Sequence, residues 1–227
     1  VESIDYATFR ELLISLNTLN TSFNTLSMSG MITSRASDIG LTGKISVRRP
    51  FAKVEFVIKN DDASKFEFTP TSYSVKNVPV SSRLFSTDDG VEQMKRTADN
   101  YTDYNKLSDF IVEAGVNKIQ FFQLENAAGI SDQVANYNDR ELRNDAANKA
   151  EVEGAHAEFA HGCEYATYIE IEGTGIGYDG NGEAATQASL KYTIHLGDFG
   201  NNVKDFNVLR NHWYTYTVTV KGINNIK

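Results

Sequence analysis

Trp213-Tyr214-Thr215-Tyr216-Thr217-Val218-Thr219-Val220-Lys221 decides the fold class of this chain. Successive side chains of a strand point to opposite faces. Tyr214, Tyr216, Val218 and Val220 therefore share one face, and Trp213, Thr215, Thr217 and Thr219 share the other. The same period of two appears upstream. Leu190, Tyr192, Ile194 and Leu196 align within Ala188 to Leu196, and Tyr165 to Gly173 holds Tyr-Ile-Glu-Ile-Glu. Ala52 to Lys59 alternates before turning apolar, Phe66-Glu67-Phe68 is a short alternating run, and Asn117 to Leu124 is another. Thr71 to Val78 reads as a separate strand ended by Pro79, which has no N–H to give a ladder. Aromatic and β-branched residues suit a pleated, half-buried surface, and the chain carries 11 Tyr and 13 Phe. Well-spaced strands without helices between them predict a sandwich of antiparallel sheets. A parallel α/β sheet would need intervening helices.

The remaining segments are less regular. Phe9, Leu12, Leu13 and Leu16 recur at helical spacing, which predicts a helix over 4–19 capped by Ser3 or Asp5. A polar linker over 17–37 follows, with a domain boundary near residue 40. Residues 86–116 and 126–160 read as exposed excursions, the second with a short helix from Asp139 to Ala150. Gly173 to Gly182 contains five glycines and reads as a loop, and 197–212 as a polar connection.

Composition narrows the function. With 22 basic and 30 acidic residues the net charge is -8, which opposes binding to nucleic-acid phosphates. No apolar run reaches the roughly 18 residues that a spanning helix needs. The chain opens Val1-Glu2-Ser3 without a leader, as expected of a processed or partial form whose targeting segment lies upstream. Its one cysteine, Cys163, excludes an intrachain disulfide and a Cys-ligated metal cluster, and reads as a small buried hydrophobe.

Candidate chemistry is sparse. His156 and His161 lie five apart, outside the usual helical ligand spacing, and His195 and His212 fall in or beside strands. All four read as surface or packing residues. Asp179-Gly180-Asn181-Gly182-Glu183 is too short for a calcium loop and reads as a hairpin connection. Glu170 and Glu172 share a strand face. A glycosidase pair needs its two acids across a cleft, about 5–10 Å apart, so these read as solvent-face charges. Arg35 and Arg48-Arg49 are candidate protease targets near loops. Trp213 and the Tyr-rich last strand suit a sugar platform, but alternation favours core packing. No catalytic, cofactor or metal residues are assigned, and an enzyme is not expected.

The order of segments resembles a known family. Met28-Ser29-Gly30, Val47-Arg48-Arg49-Pro50-Phe51-Ala52-Lys53-Val54, Ser72 to Pro79, Phe121-Phe122-Gln123-Leu124-Glu125-Asn126, Tyr165 to Gly173 and Asp205 to Tyr214 stand in the order seen in fimbrillin-like proteins of Bacteroides and Porphyromonas relatives. The resemblance is to their C-terminal domain. It implies a transthyretin-like Greek-key β-sandwich over 41–227, preceded by a tail (1–40) of an N-terminal sandwich domain mostly absent here. It also implies export as a lipidated precursor to the outer membrane and assembly with other fimbrial subunits by donor-strand exchange. The expected function is a stalk or accessory subunit of surface fimbriae. The alternative is a tip or anchor adhesin that grips a host or bacterial ligand, such as a glycan, through loops 86–116 and 126–153. A glycan-active enzyme is a remote third. A sandwich lacking one strand exposes unpaired backbone and an apolar slot, which an extended segment of a neighbour can fill.

Overall fold

The computed structural model describes residues 5–15, 28–30, 46–86, 94, 96–143, 159–222 and 225–226. The described strands are β1 (Leu13–Ser15), β2 (Phe51–Asn60), β3 (Phe66–Pro79), β4 (Ser81–Arg83), β5 (Tyr101–Leu107), β6 (Ile111–Glu113), β7 (Val116–Leu124), β8 (Asn126–Ile130), β9 (Tyr168–Tyr178), β10 (Ala184–His195), β11 (Asp205–Val208), β12 (Trp213–Gly222) and β13 (Asn225–Ile226). The described helices are α1 (Tyr6–Arg10) and α2 (Tyr137–Arg140). One sheet has the order β10-β9-β3-β5 and the other β13-β12-β2-β7-β6. Their inner faces form one core. Val54, Phe56 and Ile58 of β2 and Tyr216, Val218 and Val220 of β12 join Tyr73 and Val75 of β3, Ile169 and Ile171 of β9, and Ile194 of β10. The expected all-β sandwich is the fold.

Its sheets are not wholly antiparallel. β12 runs parallel to β2, from Trp213 opposite Lys53 to Val220 opposite Asn60. Both strands bury one face, and a period of two reads the same in either direction. Side-chain pattern alone could not reveal this.

The glycine-rich segment is a strand, not a loop. β9 continues through Gly173, Gly175 and Gly177 to Tyr178. A Cβ on Gly173 would stand 2.7 Å from the Phe68 ring, and one on Gly175 would stand 2.6 Å from the Phe66 ring. The missing side chains make room for two phenyl rings lying across β9. β3 is likewise one strand where the sequence suggested two. Pro70 lies inside it, where the register against β9 shifts. Pro79 ends it, as expected.

The first helix is shorter than expected. Asp5 caps α1 by accepting from Thr8 N at 3.0 Å, but the helix stops at Arg10. The chain then forms β1, which pairs with β4 and buries Ile14. A tertiary partner overrides helical spacing here. The linker over 17–37 lies almost wholly outside the described residues, as do the boundary near 40 and most of the predicted helix over Asp139–Ala150. What is described of that helix is α2, which starts earlier at Tyr137 and ends at Arg140.

The two excursions and the polar connection also carry structure. Residues 101–113 supply β5 and β6. β8 and β11 pair in a small separate sheet, whose cluster buries Ala128, Val134, Ala166 and Phe206.

Candidate binding edge on β12

Backbone direction along β12 follows from two hydrogen bonds. His212 O accepts from Lys53 N at 3.0 Å, and Val220 O accepts from Asp61 N at 2.9 Å. In a parallel ladder each residue aims both N–H and C=O at the same neighbour, and alternate residues aim oppositely. Tyr214, Tyr216 and Val218 therefore bond β2. Trp213, Thr215 and Thr217 direct their backbone groups away from it. On that side β13 pairs only at Val220 and Gly222, antiparallel. Among the described residues no strand pairs with Trp213, Thr215 or Thr217 on the side away from β2.

A cavity of about 630 Å³ opens along this edge, lined by Tyr137, Ile194, Phe199, Tyr214, Tyr216 and Val218 among others. Its wall is aromatic. The Phe199 and Tyr216 rings stack with centroids 5.2 Å apart, and Tyr214 lies parallel to Tyr216 at 6.2 Å. Tyr137 meets Phe199 edge-on at 5.5 Å. The hydroxyls of Tyr214 and Tyr216 are already engaged. Tyr216 Oη accepts from Gly197 N at 3.1 Å and donates to Gly197 O at 3.0 Å, while Tyr214 Oη accepts from Leu209 N at 2.9 Å. Burial drives the Tyr216 phenol far above its ordinary range. Gly197 suits its place because its φ is +138 and a Cβ would stand 2.1 Å from Asp205 O.

A buried arginine holds this wall. Arg140 is fully enclosed, with its guanidinium 5.0 Å from the Phe199 ring centroid and 4.0 Å from that of Phe206. It donates to the carbonyls of Asp205 at 2.8 Å and Leu196 at 2.9 Å, and also to Val203 O. Burial lowers its pKa. Loop 197–203 is thus tied to α2, whose start is fixed by a capping box between Asn136 and Asp139.

Residues 121–218 match the family model of a domain of unknown function, DUF4906. No curated protein matches the sequence significantly. Two solved structures from Parabacteroides distasonis, both described as candidate cell adhesion proteins, share the fold. One aligns with a TM-score of 0.57 at 15% identity over 98% of this chain. The other aligns at 0.52 and 15% over 97%. This chain spans 62% of the first and 72% of the second. At such identity the likeness is one of fold.

The residues singled out in the sequence do not converge. Among the described residues no three His, Cys, Asp or Glu side chains form a metal-ligand group. His195 is buried, its Nδ1 2.8 Å from Glu141 Oε2 and its ring against Phe159 and Phe206. His161 Nδ1 lies 3.4 Å from Gln133 Oε1, and His212 Nδ1 lies 2.7 Å from Arg210 O. His156 and Arg35 lie outside the described residues. Asp179 accepts from the backbone of Asn181 and Glu183 at 2.8 and 2.9 Å, which closes the β9–β10 turn and lowers its pKa. Lys191 bridges Glu170 and Glu172 at 3.3 and 3.5 Å. Arg48 pairs across a bridge with Ser29, and Arg49 Nη1 donates to Asn211 at 3.2 Å. Cys163 is half-buried, and burial raises its pKa. Trp213 departs from the expected core packing. It is 63% exposed, while Tyr216 of the same strand is 8% exposed.

The buried arginines escaped sequence reasoning. Besides Arg140, Arg210 pairs with Glu125 at 2.9 Å and donates to Arg83 O and Ser82 Oγ, which fastens β4 to the segment before β12. Arg210 lies within the segment Asp205 to Tyr214, but nothing in its spacing marks it as buried.

Proposed function

We propose that the chain is the strand-accepting part of a cell-surface adhesion protein of fimbrial type, exported to the outer membrane and assembled with other subunits. The observation that carries this reading is the open edge of β12 beside an aromatic groove. An extended segment of a neighbour would complete the ladder at Trp213, Thr215 and Thr217. Its alternate side chains would enter the groove against Tyr214, Tyr216 and Val218. Such a contact joins unlike surfaces, so its repetition gives an open filament. β13, short as it is, lies on the same edge of β12. The cell adhesion description of the two solved neighbours and the resemblance to fimbrillin-like proteins agree with the reading.

Thr217→Pro tests it. The Thr217 N–H points away from β2, so proline removes a donor only from the open side and is tolerated there. Negative-stain microscopy of the protein purified from the cell surface should show filaments for the wild type and folded single particles for the variant. Uniformly monomeric wild type, or filaments from Thr217→Pro in wild-type yield, would defeat the proposal.

A further inference from the structure

The outer face of the five-stranded sheet presents an unusual arrangement around Trp213, the only tryptophan of the chain. Strand register places Phe122, Lys53 and Trp213 in one row across β7, β2 and β12. The next row holds Gln120, Glu55 and Thr215. Neighbouring strands stand about 4.8 Å apart and successive rows on one face about 7 Å apart. Lys53 Nζ lies over one face of the Trp213 ring, 4.4 Å from its centroid, and the indole is still 63% exposed. Gln120 Nε2 donates to the Glu55 carboxylate, which holds both groups in place one row away.

We propose that this face binds a neutral carbohydrate chain, with one sugar ring stacked on Trp213. A pyranose ring has a face of C–H groups, which are slightly positive and pack on the electron-rich face of an indole. Its rim carries hydroxyls that both donate and accept. The adjoining row offers matching groups: the Gln120 carboxamide, the Glu55 carboxylate and the Thr215 hydroxyl. Lys53 adds a donor beside the ring. The central Glu55 and the net charge of -8 disfavour sulfated or other polyanionic chains. The platform lies on the sheet face, not on the loops 86–116 and 126–153 that the sequence suggested. It does not depend on strand addition at the β12 edge.

A glycan array probed with the full chain, followed by calorimetric titration of the best-retained oligosaccharide against the wild type and each variant, with Trp213 fluorescence read on the wild type, tests the site. The wild type should retain at least one neutral glycan and change its emission on titration. Trp213→Ala should bind at least about tenfold more weakly, and Gln120→Ala several-fold more weakly, about 1 kcal/mol. Trp213→Tyr should keep part of the binding, whereas Trp213→Leu should not. Thr217→Pro should bind as the wild type does, which separates this site from strand acceptance. Trp213 is exposed, so its replacement leaves the core intact, and far-ultraviolet circular dichroism checks that. Absence of any retained glycan, or equal retention by Trp213→Ala or Trp213→Leu, would overturn the proposal.

Discussion

The two lateral edges of the sandwich are built differently. At the β5–β6 edge the connection between sheets is filled: Tyr104, Leu107 and Phe110 pack on the core. Tyr104 Oη donates to Phe122 O at 3.4 Å, and Tyr73 meets Phe110 edge-on at 5.5 Å. The strands there are also poor templates. β6 has three residues, β5 shifts register twice against β3, and Lys106 has a φ of 48. Short, bulged edges resist pairing with other chains. At the β12 edge the ladder is straight from Trp213 to Val220, and its outward backbone groups stand beside a cavity. One edge is sealed by side chains, whereas the other offers both backbone and space.

The contrast can be broken by removing what holds the open edge. Arg140→Met should have the largest effect, because it strips donors from several buried carbonyls around loop 197–203. A loss of at least about 3 kcal/mol in urea denaturation is expected. Tyr216→Ala removes a core ring that also lines the groove and should cost about 3 kcal/mol, while Tyr216→Phe loses only the Gly197 contacts, about 1 kcal/mol. Gly175→Val sharpens the picture away from either edge. Its side chain would meet the Phe66 ring and Leu190, so overpacking of about 1–3 kcal/mol should lower the melting temperature.

Alkaline pH links the two edges. Burial raises the phenols of Tyr104, at the sealed edge, and Tyr192, beside the open one, to about 12. An acid whose folded pKa exceeds its unfolded value binds its proton more tightly when folded. Its contribution is therefore complete below about pH 10 and is lost as pH rises through about 12. Stability should fall across that window, and both Tyr104→Phe and Tyr192→Phe should flatten the fall in denaturation curves taken at successive pH values. The smallest effect belongs to the exposed pair of Lys118 and Glu113 on β6–β7, where Lys118→Ala should leave the urea denaturation midpoint essentially unchanged, because water and salt screen such a pair.

The legible part of this molecule is its alternation. Val54, Phe56, Ile58, Tyr216, Val218 and Val220 are buried on the faces their spacing assigns. The site was less legible. Trp213 shares its face with Thr215 and Thr217, but alternation was taken to favour core packing for the aromatic strand as a whole, and only the position of the sheets shows that this face is open. Gly173, Gly175 and Gly177 carried a loop signal because nothing local announces that the rings of β3 lie across them. Phe66 and Phe68 are visible in the sequence, whereas their register against β9 is not. Nothing local marks Arg140 and Arg210 as buried, because their carbonyl and carboxylate partners are distant in sequence.

The sequence by itself determined that the chain forms strands, which side chains face inward, and that it carries a net charge of -8. Tertiary structure alone decided that β12 runs parallel to β2, that one edge is sealed and the other open, and that Trp213, Lys53, Glu55 and Gln120 share a surface. The reason is physical. A period of two records which face of a strand is buried, and burial acts on side chains. Strand direction, neighbour order and unpaired edges are properties of backbone hydrogen bonds, which every residue type carries alike.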